Sequence, residues 1–156
     1  MKIPFRLDEG IYFEDSGQVI RWTESLDIIK NIDNPEIAAD GTVLKWLGKI
    51  CFNGQKVNVT VIKDRYYNTD GQFAFVSFEQ VENDVWGFYK KYSEYFKTLF
   101  GTPIEFKYDE HDRPTELWNI GDVQILLGIG ERFTEFEIFS IHKGQIFWTL
   151  KNKKQE

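Results

Sequence analysis

Asn83-Asp84-Val85-Trp86-Gly87-Phe88-Tyr89-Lys90-Lys91-Tyr92-Ser93-Glu94-Tyr95-Phe96-Lys97-Thr98-Leu99-Phe100, closed by Gly101-Thr102-Pro103, decides the architecture. Val85, Phe88, Tyr92, Tyr95 and Leu99 recur at helical spacing, Tyr89 and Phe96 widen the stripe, and Lys90, Lys91, Glu94 and Lys97 take the other side. Asn83 or Asp84 can cap the first free amides, Gly101 stands where a left-handed residue ends a helix, and Pro103 blocks continuation. The spacing predicts a helix over residues 83–100. Val85, Phe88, Tyr92, Phe96 and Leu99 should then be buried against the valines of the preceding strands and against Val123, Ile125 and Leu127.

On the N-terminal side, runs 42–46, 49–52, 56–63 and 72–81 are rich in β-branched and aromatic residues. Val57, Val59 and Val61 alternate with Asn58 and Thr60, which turns one face to a core and the other to water. Asn53-Gly54 is the strongest hairpin signal, because both residues tolerate positive φ, and Asp70-Gly71 marks a further turn. These runs predict an antiparallel meander. Before it, 11–13 and 19–22 read as strands about Asp15-Ser16-Gly17, and Leu26, Ile28, Ile29 and Ile32 predict a short helix over 24–32 that Asn34-Pro35 ends. Beyond the long helix, 104–108, 115–118, 122–128, 132–142 and 145–150 are strand-like, with Gly121, Gly130 and Gly144 near the turns. The expected fold is α+β: an antiparallel sheet with one short and one long helix, in a single domain over 1–156 whose tail is 151–156.

The halves 1–81 and 82–150 share an order of signals: helix, proline, strand reaching a tryptophan, glycine, strand, strand. Pro35 and Pro103 lie 68 apart and Trp46 and Trp118 lie 72 apart, as a duplicated helix-plus-meander unit requires. This layout resembles the tandem helix-plus-sheet repeats of the β-lactamase inhibitor proteins, which form a concave protein-binding surface. It is also similar to small bacterial immunity proteins that pack one sheet with one or two helices. The shared residues are the tryptophan-glycine echo at Trp46 and Trp118, so the resemblance implies an architecture and a protein partner and assigns no functional residue.

The 156 residues carry 19 Lys+Arg against 25 Asp+Glu, a net charge of −6, with 42% hydrophobic residues that include 5 Trp, 7 Tyr and 14 Phe. That composition supports a large aromatic core and excludes disorder. Nucleic acid is disfavoured as a partner, since affinity for phosphate backbones comes from Lys and Arg displacing counterions. No apolar run approaches the length of a membrane span, Pro4, Arg6, Asp8 and Glu9 interrupt any signal core, and Cys51 is the lone thiol. The expectation is a cytoplasmic protein with no membrane association.

No catalytic constellation emerges. Cys51 between Ile50 and Phe52 reads as a packed strand residue, and His142 as a neutral surface or edge histidine. Asp109-Glu110-His111-Asp112 lacks the spacing and central glycine of a calcium loop and reads as a solvated hairpin turn. Gly128-Ile129-Gly130 lacks the third glycine and the helix of a dinucleotide site and reads as a turn. No metal and no cofactor are expected.

Acids clustered among aromatics suit a basic protein partner, such as a toxin domain neutralised by an immunity or inhibitor protein. Glu135 and Glu137 alternate with Phe136 and Ile138, so the acids should face solvent and the apolar pair the core. With Glu131 and Phe139 beside them and Asp109, Glu110 and Asp112 at the rim, they form the expected partner surface. The second reading is a small enzyme or ligand-binding domain with a pocket between sheet and helix, lined by Tyr92, Tyr95 and Glu105.

Overall fold

The long helix forms where its stripe and caps place it. In the computed structural model, which describes residues 3–63, 66 and 73–144, α2 is Val85–Phe100. Asp84 is its N-cap, accepting from the Gly87 amide at 2.9 Å, and Gly101 ends it at φ +85, where a side chain would be strained. The shorter α1 is Leu26–Ile29. The strands are β1 (Gly10–Phe13), β2 (Gln18–Arg21), β3 (Glu36–Ala38), β4 (Val43–Cys51), β5 (Gln55–Ile62), β6 (Phe73–Glu79), β7 (Glu105–Tyr108), β8 (Pro114–Ile120), β9 (Val123–Arg132) and β10 (Thr134–Gly144). The expected turn at Asp70-Gly71, the strand over 145–150 and the tail 151–156 lie outside the described residues.

β1 and β2 make a hairpin of their own, and the other eight strands form one antiparallel sheet in the order β3-β4-β5-β6-β10-β9-β8-β7. Each helix is followed by a four-stranded meander, and the two meanders meet at their last strands, with Ser140 facing Ser77 and His142 facing Phe75. Trp46 and Trp118 sit on the second strand of their meanders. Each donates its indole N–H to a carbonyl near the end of the preceding helix, Trp46 to Ile32 at 2.7 Å and Trp118 to Gly101 at 3.0 Å.

One aromatic core lies under α2, which crosses β8, β9 and β10, and continues beneath the β1–β2 hairpin, where Phe13 meets Trp46. The buried residues of α2 are Tyr89, Tyr92, Ser93 and Phe96. Leu99 is 41% exposed, so the expected burial of Leu99 does not hold. The buried face is rotated towards Ser93, because that hydroxyl donates to Glu116 of β8, whose other oxygen pairs with Lys97 at 3.0 Å. Counting apolar residues alone misplaces a stripe that contains a satisfied serine. At the β4–β5 turn Phe52 adopts φ +53, and its ring meets Phe5, Phe78, Tyr92, Phe96 and Phe139.

His142 is fully buried, which corrects its reading as a surface or edge residue, and its ring stacks with Phe75. Burial pushes its imidazole down to about 4 from the ordinary 6.5. The unfolded chain therefore takes up this proton first, and stability is complete above about pH 6.5 and lost as pH falls towards 4. Between pH 7 and pH 5 the contribution should drop by about 2 kcal/mol. Urea melts of the wild type against His142→Gln should show this difference in pH slope.

Candidate protein-binding surface

Among the described residues β9 and β10 are the longest strands, and they outrun their neighbours. β9 pairs with β8 only from Val123 to Gly128, and β10 pairs with β6 only from Ser140 to Gly144. Residues 129–132 and 134–137 thus continue as a two-stranded ribbon beyond the rest of the sheet. The chain reverses at Phe133, between the paired Arg132 and Thr134. Gly128 and Gly130 are strand residues, not a turn. A Cβ on Gly128 would lie 2.4 Å from the Pro114 carbonyl oxygen, and one on Gly130 would lie 2.5 Å from the ring of Phe136. Glycine here marks close approach.

Phe133 has φ +72 and is 99% exposed. A bulky residue in the left-handed region is strained, and a fully solvated phenyl ring gains nothing from burial. Glu131, Arg132 and Thr134 beside it are exposed, as is Phe136.

The expected faces of β10 are reversed. Phe139 and Ile141 enter the core beneath α2, so Phe139 is buried and unavailable to a partner. Glu135 and Glu137 share that face, at its outer end, while Ile138 packs with Leu117 and Leu126 on the other side of the sheet. Both acids hold the start of α2. Glu135 accepts from the Trp86 indole at 3.0 Å and lies 3.7 Å from the Arg113 guanidinium, and Glu137 accepts from the Gln80 amide at 2.8 Å. Gln80 in turn accepts from the amide of the cap residue Asp84.

Asp109 is also engaged. It accepts from the backbone amides of Arg113 and His111 and from the Arg113 guanidinium, contacts that hold its carboxyl below the usual carboxylate range. Arg113 thereby ties the 109–113 turn to Glu135, so the structure brings both sets of expected residues to one end of the sheet. Glu110, Asp112 and Glu131 remain exposed there. Phe133, Trp86 and Arg113 escaped the sequence reading. Only the length of the apolar-acidic alternation through 129–141 hinted at a protruding hairpin.

Reversing Glu135 and Glu137 to Lys should lower stability by about 1–3 kcal/mol, since it removes acceptors from the Trp86 indole and the Gln80 backbone amide and sets Lys against Arg113. A thermal melt of the double variant checks this.

The residues of the second reading do not converge. Tyr95 donates to the Phe52 carbonyl at 3.0 Å, and the buried Tyr92 hydroxyl has no hydrogen-bond partner among the described residues. With Gln55, Lys91, Glu94 and Thr98, these tyrosines line a shallow depression of about 330 Å³, whereas Glu105 faces away from α2. Cys51 is buried in the core, and burial together with Glu14 and Asp15 pushes its thiol well up. His142 is on the opposite side of the sheet, too remote in orientation to serve as its base. Among the described residues no three His, Cys, Asp or Glu side chains gather as metal ligands, and no helix is long and apolar enough to cross a membrane.

The fold and this surface define an α+β chain built on one antiparallel sheet, with a strained aromatic tip at one end. Comparison with protein-family models, with curated proteins and with solved structures finds no match.

Proposed function

We propose that this chain is a non-catalytic protein-binding module, a cytoplasmic immunity or inhibitor protein that neutralises a basic toxin domain through the β9–β10 tip. The observation that carries the reading is Phe133, held in a left-handed conformation with its ring in solvent. Such strain persists in functional loops, and an aromatic anchor with a charged rim is a common design of protein interfaces. Glu110, Asp112 and Glu131 supply an acidic rim, in keeping with the net charge of −6. The acids also speed encounter with a basic surface and disfavour nucleic acid.

The test is co-expression with a basic toxin domain encoded beside this chain. Wild type should protect growth. Phe133→Gly should lose protection and bind at least tenfold more weakly, while its melting temperature stays level or rises, because glycine relieves the positive φ. No protection by the wild type against the neighbouring toxin overturns the immunity reading. Equal protection by Phe133→Gly places the contact elsewhere.

A further inference from the structure

β7 is the outermost strand of the second meander, and among the described residues nothing pairs with its free edge. Phe106 and Tyr108 stand on the face that α2 covers further in, yet Phe106 is 61% and Tyr108 60% exposed, their rings meeting edge to face at 6.2 Å. Glu105 and Lys107 project from the other face, half-buried, with no ion pair among the described residues. Edge strands are normally blunted by charge, proline or a covering loop. Here the apolar residues occupy one face of the edge and one charge of each sign occupies the other.

We propose that β7 is a self-pairing edge that joins two copies of this chain antiparallel, about a two-fold axis normal to the sheet at Phe106. Residues directly opposite in such a pair share a face. Phe106 then meets its own counterpart, and Glu105 of each copy faces Lys107 of the other. Every facing pair is complementary, apolar on one side and oppositely charged on the other. An axis moved to Glu105 or Lys107 would set like charges face to face, so the charges select this register. The contact is isologous, the commonest symmetry of soluble dimers, and it unites two eight-stranded sheets into one. It requires no toxin partner and stands apart from the function proposed above.

Sedimentation velocity of the full chain from micromolar to millimolar concentration tests it. Wild type should dimerise, and Glu105→Lys and Lys107→Glu should each weaken self-association at least about tenfold, since each variant creates two like-charge pairs per dimer. The double variant E105K/K107E should dimerise again, and an equimolar mixture of the two single variants should form a heterodimer in which every facing pair is opposite in charge. That last arm also shows that the single variants are folded. A wild type that stays monomeric throughout overturns the proposal. So do single variants that dimerise like wild type, or a double variant and a mixture that stay monomeric.

Discussion

Phe96→Ala is expected to lower the free energy of unfolding by about 3–5 kcal/mol, whereas Leu99→Ala should cost less than about 1 kcal/mol. Phe96 is fully buried, and its ring meets Phe52, Tyr92, Tyr95, Phe100, Trp118 and Phe139. These rings come from α2, from the β4–β5 turn and from strands of the second meander, so they cannot all shift together to fill the space. The cavity therefore persists, and its cost adds to the lost transfer energy. Leu99, in the last turn of α2, keeps much of its surface in water and leaves little space behind. Paired urea melts read the contrast directly, and equal losses for the two variants would place α2 in a different rotation about its axis.

Lys49→Met should cost about 3 kcal/mol, through loss of charge and not of volume. The Lys49 ammonium, 10% exposed, bridges Asp15 in the β1–β2 turn, at 2.9 Å, and Asp33 in the segment before β3, and lies 5.0 Å from the centre of the Phe13 ring. Removing it leaves two partly buried carboxylates without their cation. Both keep some contact with water, so the cost falls at the low end for a broken buried pair. Burial opposes ionisation of Asp15, but the hydrogen bonds from Lys49 and the Ile50 amide outweigh it and hold this carboxyl below its ordinary 3.8. The Asp15 contribution is therefore complete above about pH 3.8 and lost as pH falls through the lower folded value. For Lys49, burial is outweighed by Asp33 and Asp15, so its value is raised; that contribution is present below 10.5 and lost as pH rises beyond it. The stability gap between wild type and Lys49→Met should be flat through neutral pH and shrink below about pH 3.8. Urea melts at neutral and acid pH measure it.

Much of the architecture was legible because local and global signals agree. Asp84, Gly101 and Pro103 bracket α2 as their backbone chemistry requires, and the alternation of Val57, Val59 and Val61 specifies the core face of β5. The faces of β10 were harder to assign. Phe136-Glu137-Ile138-Phe139-Ser140-Ile141 carries apolar residues at both parities, and a shift of one residue exchanges the two faces. Gly130 makes room for the ring of Phe136, and Leu117 with Leu126 receives Ile138, so apolar side chains are accommodated on either side. The turn at Phe133 carries no turn residue at all. A site built on strain breaks the local rules that sequence reading depends on.

The seam between the meanders has a consequence in time. β6 ends at Glu79, and its neighbour in the finished sheet, the stretch of β10 from Ser140 to Gly144, is synthesised roughly 60 residues later. At about 5–20 residues per second the ribosome needs about 3–12 s to cover that distance. For this interval the nascent chain offers an unfilled β6 edge that any extended segment nearby can occupy, including the same edge on a following copy from one message. The line along which the sheet closes is thus the last to be sealed, and slowing translation downstream of Glu79 should reduce soluble yield more than slowing it upstream.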